Sequence, residues 1–344
     1  MDRRDWLKYI GASAGALGAG LLLPRSVRGQ RRSVKHAENV AKGHFGWVPR
    51  PEETEKFIKS TAKPFFRDYG GDIKGSGEGK KALWWRTYEK ITKGEWIPHN
   101  QGIGDCVSHG FGGAIDTLTT VQVETRRPRP EKWMGKCCTE WLYGGGRCEI
   151  GDQYGRYSDG STGVWQAEFV QEFGVLLRKV YPGGFDFREY DSKRAKEYGA
   201  KGAPDPLEGV SREHPVKTAA LVTTWEETRD AIYNGHLVAV CSNAGFGNGS
   251  TTRDSEGFLR RRRSPWYHCM FFMGMDDESG RPGALCMNSW GVNWIGGPTR
   301  HGQPPGSFWI DAETVDYMVR QQDSFALSNY VGYPSVVIPP YVIW

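Results

Sequence analysis

The sequence lacks an apolar run long enough to cross a bilayer. Its most apolar N-terminal stretch, Tyr9 to Leu23, is fifteen residues and rich in Gly and Ala, against the roughly 20 that a spanning helix needs. The spacing of a zinc knuckle is also missing. The adjacent Cys137 and Cys138 are not separated by two residues, and no His-x₃₋₅-His pair follows, so neither a metal nor another cofactor is expected. An excess of one charge is nearly absent. Forty-five Lys and Arg face 40 Asp and Glu, a net +5; residues 1–29 hold five of the former and two Asp, which leaves only +2 for the remainder. That is too little to argue for a nucleic-acid partner. What is present suits a soluble globular protein, with 38% hydrophobic and 25% charged residues. At 344 residues the chain can bury one sizeable core or two lobes sharing a cleft. Fourteen tryptophans read as buried structural aromatics in preference to stacking platforms for carbohydrate.

The chain opens with Asp2-Arg3-Arg4-Asp5-Trp6-Leu7-Lys8 ahead of the weakly apolar stretch, the layout of a signal peptide. The paired arginines, followed by an aromatic, Leu and Lys, resemble the twin-arginine class. Val27 and Gly29 supply small residues for cleavage before Gln30. The protein is therefore expected to be exported, periplasmic or extracellular, with no stable membrane span once residues 1–29 are removed. An uncleaved N-terminal anchor is the alternative. Residues 30–81 read as an N-terminal linker or pro-segment, polar at first and ending in the glycine-rich 70–79.

Three later stretches carry the chemistry. Asn100-Gln101-Gly102-Ile103-Gly104-Asp105-Cys106 ends in a cysteine, and the small and apolar residues after it predict a helix that fades by Val123. Cys106 thus falls at a helix N-terminus, where unpaired N–H groups and the helix dipole should lower a thiol pKa. Next, Trp266-Tyr267-His268-Cys269 opens an apolar strand, and Ala284-Leu285-Cys286-Met287 leads into Asn288-Ser289-Trp290-Gly291. His109 lies three residues beyond Cys106 on the same predicted helix. It points along that helix rather than across a cleft, and is not expected to be the base.

Read together, Gln…Cys…His…Asn-Ser-Trp-Gly resembles the papain-like cysteine peptidases, with the parts in that family's chain order. The resemblance implies an α+β, two-lobed papain-like fold, with a helical lobe, an antiparallel β-barrel-like lobe and the active-site cleft between them. It would cover residues 82–344, the helical lobe at about 100–210 and the β-rich lobe at about 211–330. It implies that Cys106 is the nucleophile and His268 the general base and then acid. Asn288 would orient the imidazole, Gln101 would donate to the oxyanion, and Trp290 would cover the His–Asn hydrogen bond. The turn Gly160-Ser161-Thr162-Gly163 would line a groove that pairs with an extended polypeptide substrate by strand addition. Cys137 or Cys138 would form a disulfide with Cys148.

The sequence also departs from the family pattern. Five positions separate Gln101 from Cys106 where the family has six, Ile103 stands where a cysteine is common, and Val107 replaces the usual tryptophan. Other elements follow from local signals. A helix through Ala167 to Phe173 is stopped by Gly174, a capping box at Thr224–Glu227 opens another, and a short helix spans Ala312 to Val319. Residues 183–214 read as a charged surface excursion, and Arg260–Arg263 as a solvated loop that would favour acidic substrates if it bordered the cleft. The expected activity is peptide-bond hydrolysis by an exported thiol protease. The alternative is a catalytically inactive papain-fold protein that binds peptide or glycan.

Overall fold

The structure, a computed structural model, describes residues 45–70, 73, 75–126, 131–247 and 252–334. The predicted signal segment, 1–29, lies outside the described residues. Residues 45–48 bend at Phe45 and Gly46 and lead into α1 (Pro51–Ser60), which has proline at its first position and Glu52 and Glu53 where free N–H groups favour anions. The short strand β1 (Lys81–Leu83) and α2 (Trp84–Thr92) follow. Next is α3 (Cys106–Thr125), with 18 of its 20 residues buried. A helix buried on every side, its polar residues included, has no solvent face and becomes the centre of the packing.

After β2 (Glu131–Lys132), α4 (Thr139–Gly145) runs on through a π-helical turn at Gly146–Ile150, and α5 (Gly163–Glu172) ends before Gly174. Residues 183–214, expected as a charged surface excursion, hold regular structure. The hairpin β3 (Val180–Tyr181) and β4 (Phe185–Asp186) is followed by α6 (Ser192–Lys201) and α7 (Glu208–Ser211). The inner face of α6 is Ala195, Gly199 and Ala200, small residues that give no hydrophobic period to read. Arg194 of α6 and Arg178 pair with the buried Glu140 carboxylate of α4 at 2.7 and 3.0 Å.

The remaining elements are β5 (Val216–Leu221), α8 (Trp225–Tyr233), β6 (Leu237–Ser242), β7 (His268–Asp276), β8 (Gly283–Met287), β9 (Ser307–Asp311), α9 (Ala312–Val319), β10 (Phe325–Tyr330) and β11 (Tyr333–Pro334). The main sheet runs β5-β10-β6-β7-β8-β9 and is antiparallel throughout, with β1 added to β7. It is open: β5 and β9 end the order and do not pair, so the expected barrel-like lobe is a twisted sheet and not a closed barrel. Both faces are covered. Leu237, Ala239, Cys241, Cys269 and Phe271 face α3, while Val238, Val240, Met270 and Phe272 face the side that α8 and α9 close. This explains the near-continuous apolar runs of β6 and β7.

All seven cysteines are free thiols, which overturns the expected disulfide to Cys148. The ten residues from Cys138 to Cys148 are almost all helical. At 1.5 Å of rise per residue they set the two roughly 15 Å apart, beyond a disulfide's reach. Trp85, Trp96, Trp141 and Trp309 are fully buried, in line with the structural reading of the tryptophans. No helix among the described residues is long and apolar enough to cross a membrane.

Candidate active site

Cys106 is the first residue of α3, and Asp105 precedes it as N-cap. The helix lies along β7, and the Cys269 backbone N–H donates to Cys106 Sγ at 3.2 Å. The sulfur is thereby placed against the residue that follows His268. The imidazole, on the first residue of β7, donates from Nε2 to Asn288 Oδ1 at 2.7 Å. That oxygen also accepts the Ser289 backbone N–H at 2.7 Å. Trp290 stacks on the imidazole with ring centroids 5.0 Å apart and planes at 27°. The second ring nitrogen, Nδ1, has no hydrogen-bond partner.

Gln101 is held by the same strand end. Its backbone N–H donates to the Ser289 carbonyl at 2.9 Å, and Ser289 Oγ donates to its side-chain oxygen at 2.6 Å. The amide nitrogen donates to two carbonyl oxygens, of Ile103 at 2.9 Å and Phe45 at 3.0 Å. Both of its hydrogens are therefore in use.

The Phe45 carbonyl belongs to the strap 45–48, which crosses the turn expected to line a groove. Phe45 and Trp47 each donate a backbone N–H to the Tyr267 carbonyl, Ser161 N–H donates to the Gly46 carbonyl, and Val48 N–H donates to the Ser161 carbonyl. The Trp47–Ser161 bridge is parallel. Two glycines make the crossing possible. A Cβ on Gly160, at φ +112°, would stand 2.6 Å from Val48 Cγ2, and one on Gly46, at φ +128°, would stand 2.4 Å from the Gly104 carbonyl oxygen. The Phe45 ring covers His268 and Trp290, at 5.4 and 4.7 Å between centroids.

Of the four turn residues singled out for the groove, only Ser161 pairs with the strap through both of its backbone groups. Gly160 grants the close approach. Thr162 and Gly163 face elsewhere: Thr162 Oγ1, Gly163 N–H and Val164 N–H all donate to the Asp323 carboxylate at 2.7 Å. Trp47 Nε1 completes that set at 2.6 Å. Burial raises the Asp323 carboxyl to about 6, against these four bonds. Neither the strap nor Asp323 was legible in the sequence, although Phe45-Gly46-Trp47 is an aromatic cluster in an otherwise polar segment.

Beneath the strap Cys106 and His268 are both fully buried. Burial pushes the thiol well up, and the neighbouring Cys269 and the Asp105 carboxylate add to the shift. Burial also lowers the imidazole to about 4, against the bond to Asn288. Desolvation thus outweighs the helix N-terminus, and the low-pKa thiol expected at Cys106 is not present in this closed state. Within the arginine run, Arg262 N–H donates to the Gly245 carbonyl, and Arg261 stacks on Tyr317.

No protein-family model matches the sequence, and no curated protein is similar to it. Solved structures are. The cysteine protease and lectin-like domains of Cwp84, a surface layer associated protein of Clostridium difficile, align at a TM-score of 0.51 and 14% identity, over 88% of this chain and 60% of that one. Procathepsin B S9 from Trypanosoma congolense aligns at a TM-score of 0.50 and 12% identity, over 86% and 88%. The fold is papain-like. At these identities the likeness speaks for the fold alone, and the chemistry rests on the residues described above.

Proposed function

We propose that the protein is an exported papain-like cysteine endopeptidase whose cleft is closed in this state by residues 45–48. One observation carries the reading: the His268–Asn288 pair, bonded at 2.7 Å beneath Trp290, abuts the turn on which Cys106 opens a buried helix. Withdrawal of the strap would rehydrate the sulfur and the ring and remove the burial that keeps both neutral. A proton then passes from Cys106 to His268 Nδ1, and Asn288 holds the opposite nitrogen and stabilises the imidazolium. The thiolate adds to the peptide carbonyl carbon. The oxyanion takes the Gln101 amide donor that Phe45 now occupies, together with the Cys106 backbone N–H. His268 returns the proton to the leaving amine, and water releases the acyl group. An extended substrate would replace the strap on Ser161 and Tyr267 by the same backbone pairing.

Residues 1–29 serve in this reading as the twin-arginine-type export signal, which mass analysis of the mature N-terminus checks. The activity is tested with fluorogenic peptides on a full chain carrying Trp47→Ala to loosen the strap. Hydrolysis that disappears in Cys106→Ala and in His268→Ala supports the peptidase. Hydrolysis that survives Cys106→Ala contradicts it. A chain that binds peptide without cutting it would be the inactive binding protein.

A further inference from the structure

His109 has no part in the chemistry above, yet it is buried one turn from the nucleophile. Its Nε2 lies 3.3 Å from Asp105 Oδ2, but without hydrogen-bond alignment, so both ring nitrogens are buried and without a hydrogen-bond partner. Asp105 Oδ2 is taken instead by the Tyr190 hydroxyl at 2.8 Å. The His109 ring packs against those of His99 and Tyr190, at 5.4 and 5.1 Å between centroids. His99 is itself committed to Asp116 at 3.4 Å.

A cavity of about 10 Å³ adjoins these rings, lined by Trp96, His99, His109, Cys269, Asn288 and Ser289 among others. Three of these residues carry buried nitrogens with no partner: Trp96 Nε1, Asn288 Nδ2 and both nitrogens of His109. The volume is that of one water molecule, and a buried water needs two to four polar partners. Here the partners are complementary. A water there would accept from the Asn288 and Trp96 N–H groups and donate to the unprotonated nitrogen of His109.

The consequence falls on Asn288. Its Oδ1 already accepts from His268 Nε2 and from Ser289 N–H. A flipped amide would set its NH₂ against both of these donors. An acceptor on the Nδ2 side secures the working orientation from behind. We propose that His109 is a positioning residue for the His268–Asn288 pair, joined to the Asn288 carboxamide through a water held in this cavity. The role in catalysis rests on the peptidase reading; the hydrogen-bond link does not.

The test has two readouts on the full chain. In ¹⁵N-histidine-labelled protein, the Nε2–H tautomer of His268 and the solvent exchange of that proton report Asn288 directly, with no need for turnover. His109→Phe, which keeps the ring and removes both nitrogens, should speed the exchange at least about tenfold, and His109→Gln, which restores an acceptor, should reverse most of that change. In the Trp47→Ala background, His109→Phe should lower kcat about tenfold or more with little change in KM. It should also move the alkaline limb of kcat/KM to lower pH, because a less firmly held imidazolium loses its proton sooner. If His109→Phe leaves the tautomer and the exchange as in the parent chain, or changes only the melting temperature, the link is wrong. Altered exchange in a chain that never hydrolyses peptide would keep the link and remove the peptidase.

Discussion

The two sides of the cleft are in different states of readiness. On the sheet side, His268 is bonded to Asn288 and stacked under Trp290, and the ring's Nδ1 and Asn288 Nδ2 have no partner. On the helical side the parts are present but occupied. The Cys106 thiol is held neutral by burial, and the Gln101 amide is spent on the Phe45 and Ile103 carbonyls. The sheet side is made by strand register, which packing on both faces fixes. The helical side depends on a loop and on what covers it. In the proposed peptidase, control would therefore fall on the loop side, where the strap 45–48 lies.

Substitutions on either side should break this comparison differently. The largest effect is expected on the sheet side, where His268→Ala in the Trp47→Ala background should cost about 10³-fold or more in kcat/KM and Asn288→Ala about 10²-fold, measured on a fluorogenic peptide. Gln101→Ala should show opposite signs in two assays. With the strap loosened, loss of an oxyanion donor removes about 2.7–4 kcal/mol of transition-state stabilisation. In the otherwise unaltered chain it frees the Phe45 carbonyl and should speed alkylation of Cys106. An unchanged rate in both assays would separate Gln101 from strap and site alike. Gly160→Ala places a methyl against Val48 at a positive φ. It should weaken strap closure by about 1–3 kcal/mol, seen as faster limited proteolysis around residues 45–50.

The smallest effect is that of acid. His268 and His99 are each depressed from 6.5 to about 4 by burial. The unfolded chain binds more protons between those values, so the stability that each contributes is complete above pH 6.5 and is lost as pH falls toward 4, on the order of 1–3 kcal/mol apiece. The melting temperature should drop over that window, and less steeply in His268→Gln. A slope unaltered by that substitution would put the acid sensitivity elsewhere.

The legible parts of the molecule are those set by local chemistry. Cys106 at a helix start, His268 opening a strand, Asn288 directly after one, and the helix Ala312–Val319 lie where their own neighbourhoods placed them. What escaped depends on partners distant in the chain. Asp323 pairs with Trp47 across 276 residues, and nothing beside it in Gln321-Gln322-Asp323-Ser324 marks it. The helix Ser192–Lys201 buries only small side chains. The short strand Lys81–Leu83 exists because β7 offers it an edge. The rise in the Cys106 thiol was hidden for the same reason: a helix N-terminus can be read from sequence, but the cover over it cannot.

The most direct test is the rate at which an epoxide thiol reagent modifies Cys106, followed by mass analysis of the peptide that contains it. Trp47 gives the strap its buried indole and its bond to Asp323, and its loss should cost about 3–5 kcal/mol of closure. Modification should therefore be slow in the wild-type chain, at least about 100-fold faster in Trp47→Ala, and slow again in Trp47→Ala/His268→Ala. Equal rates in the first two chains, or rapid modification that does not need His268, would contradict a strap-covered cysteine–histidine site.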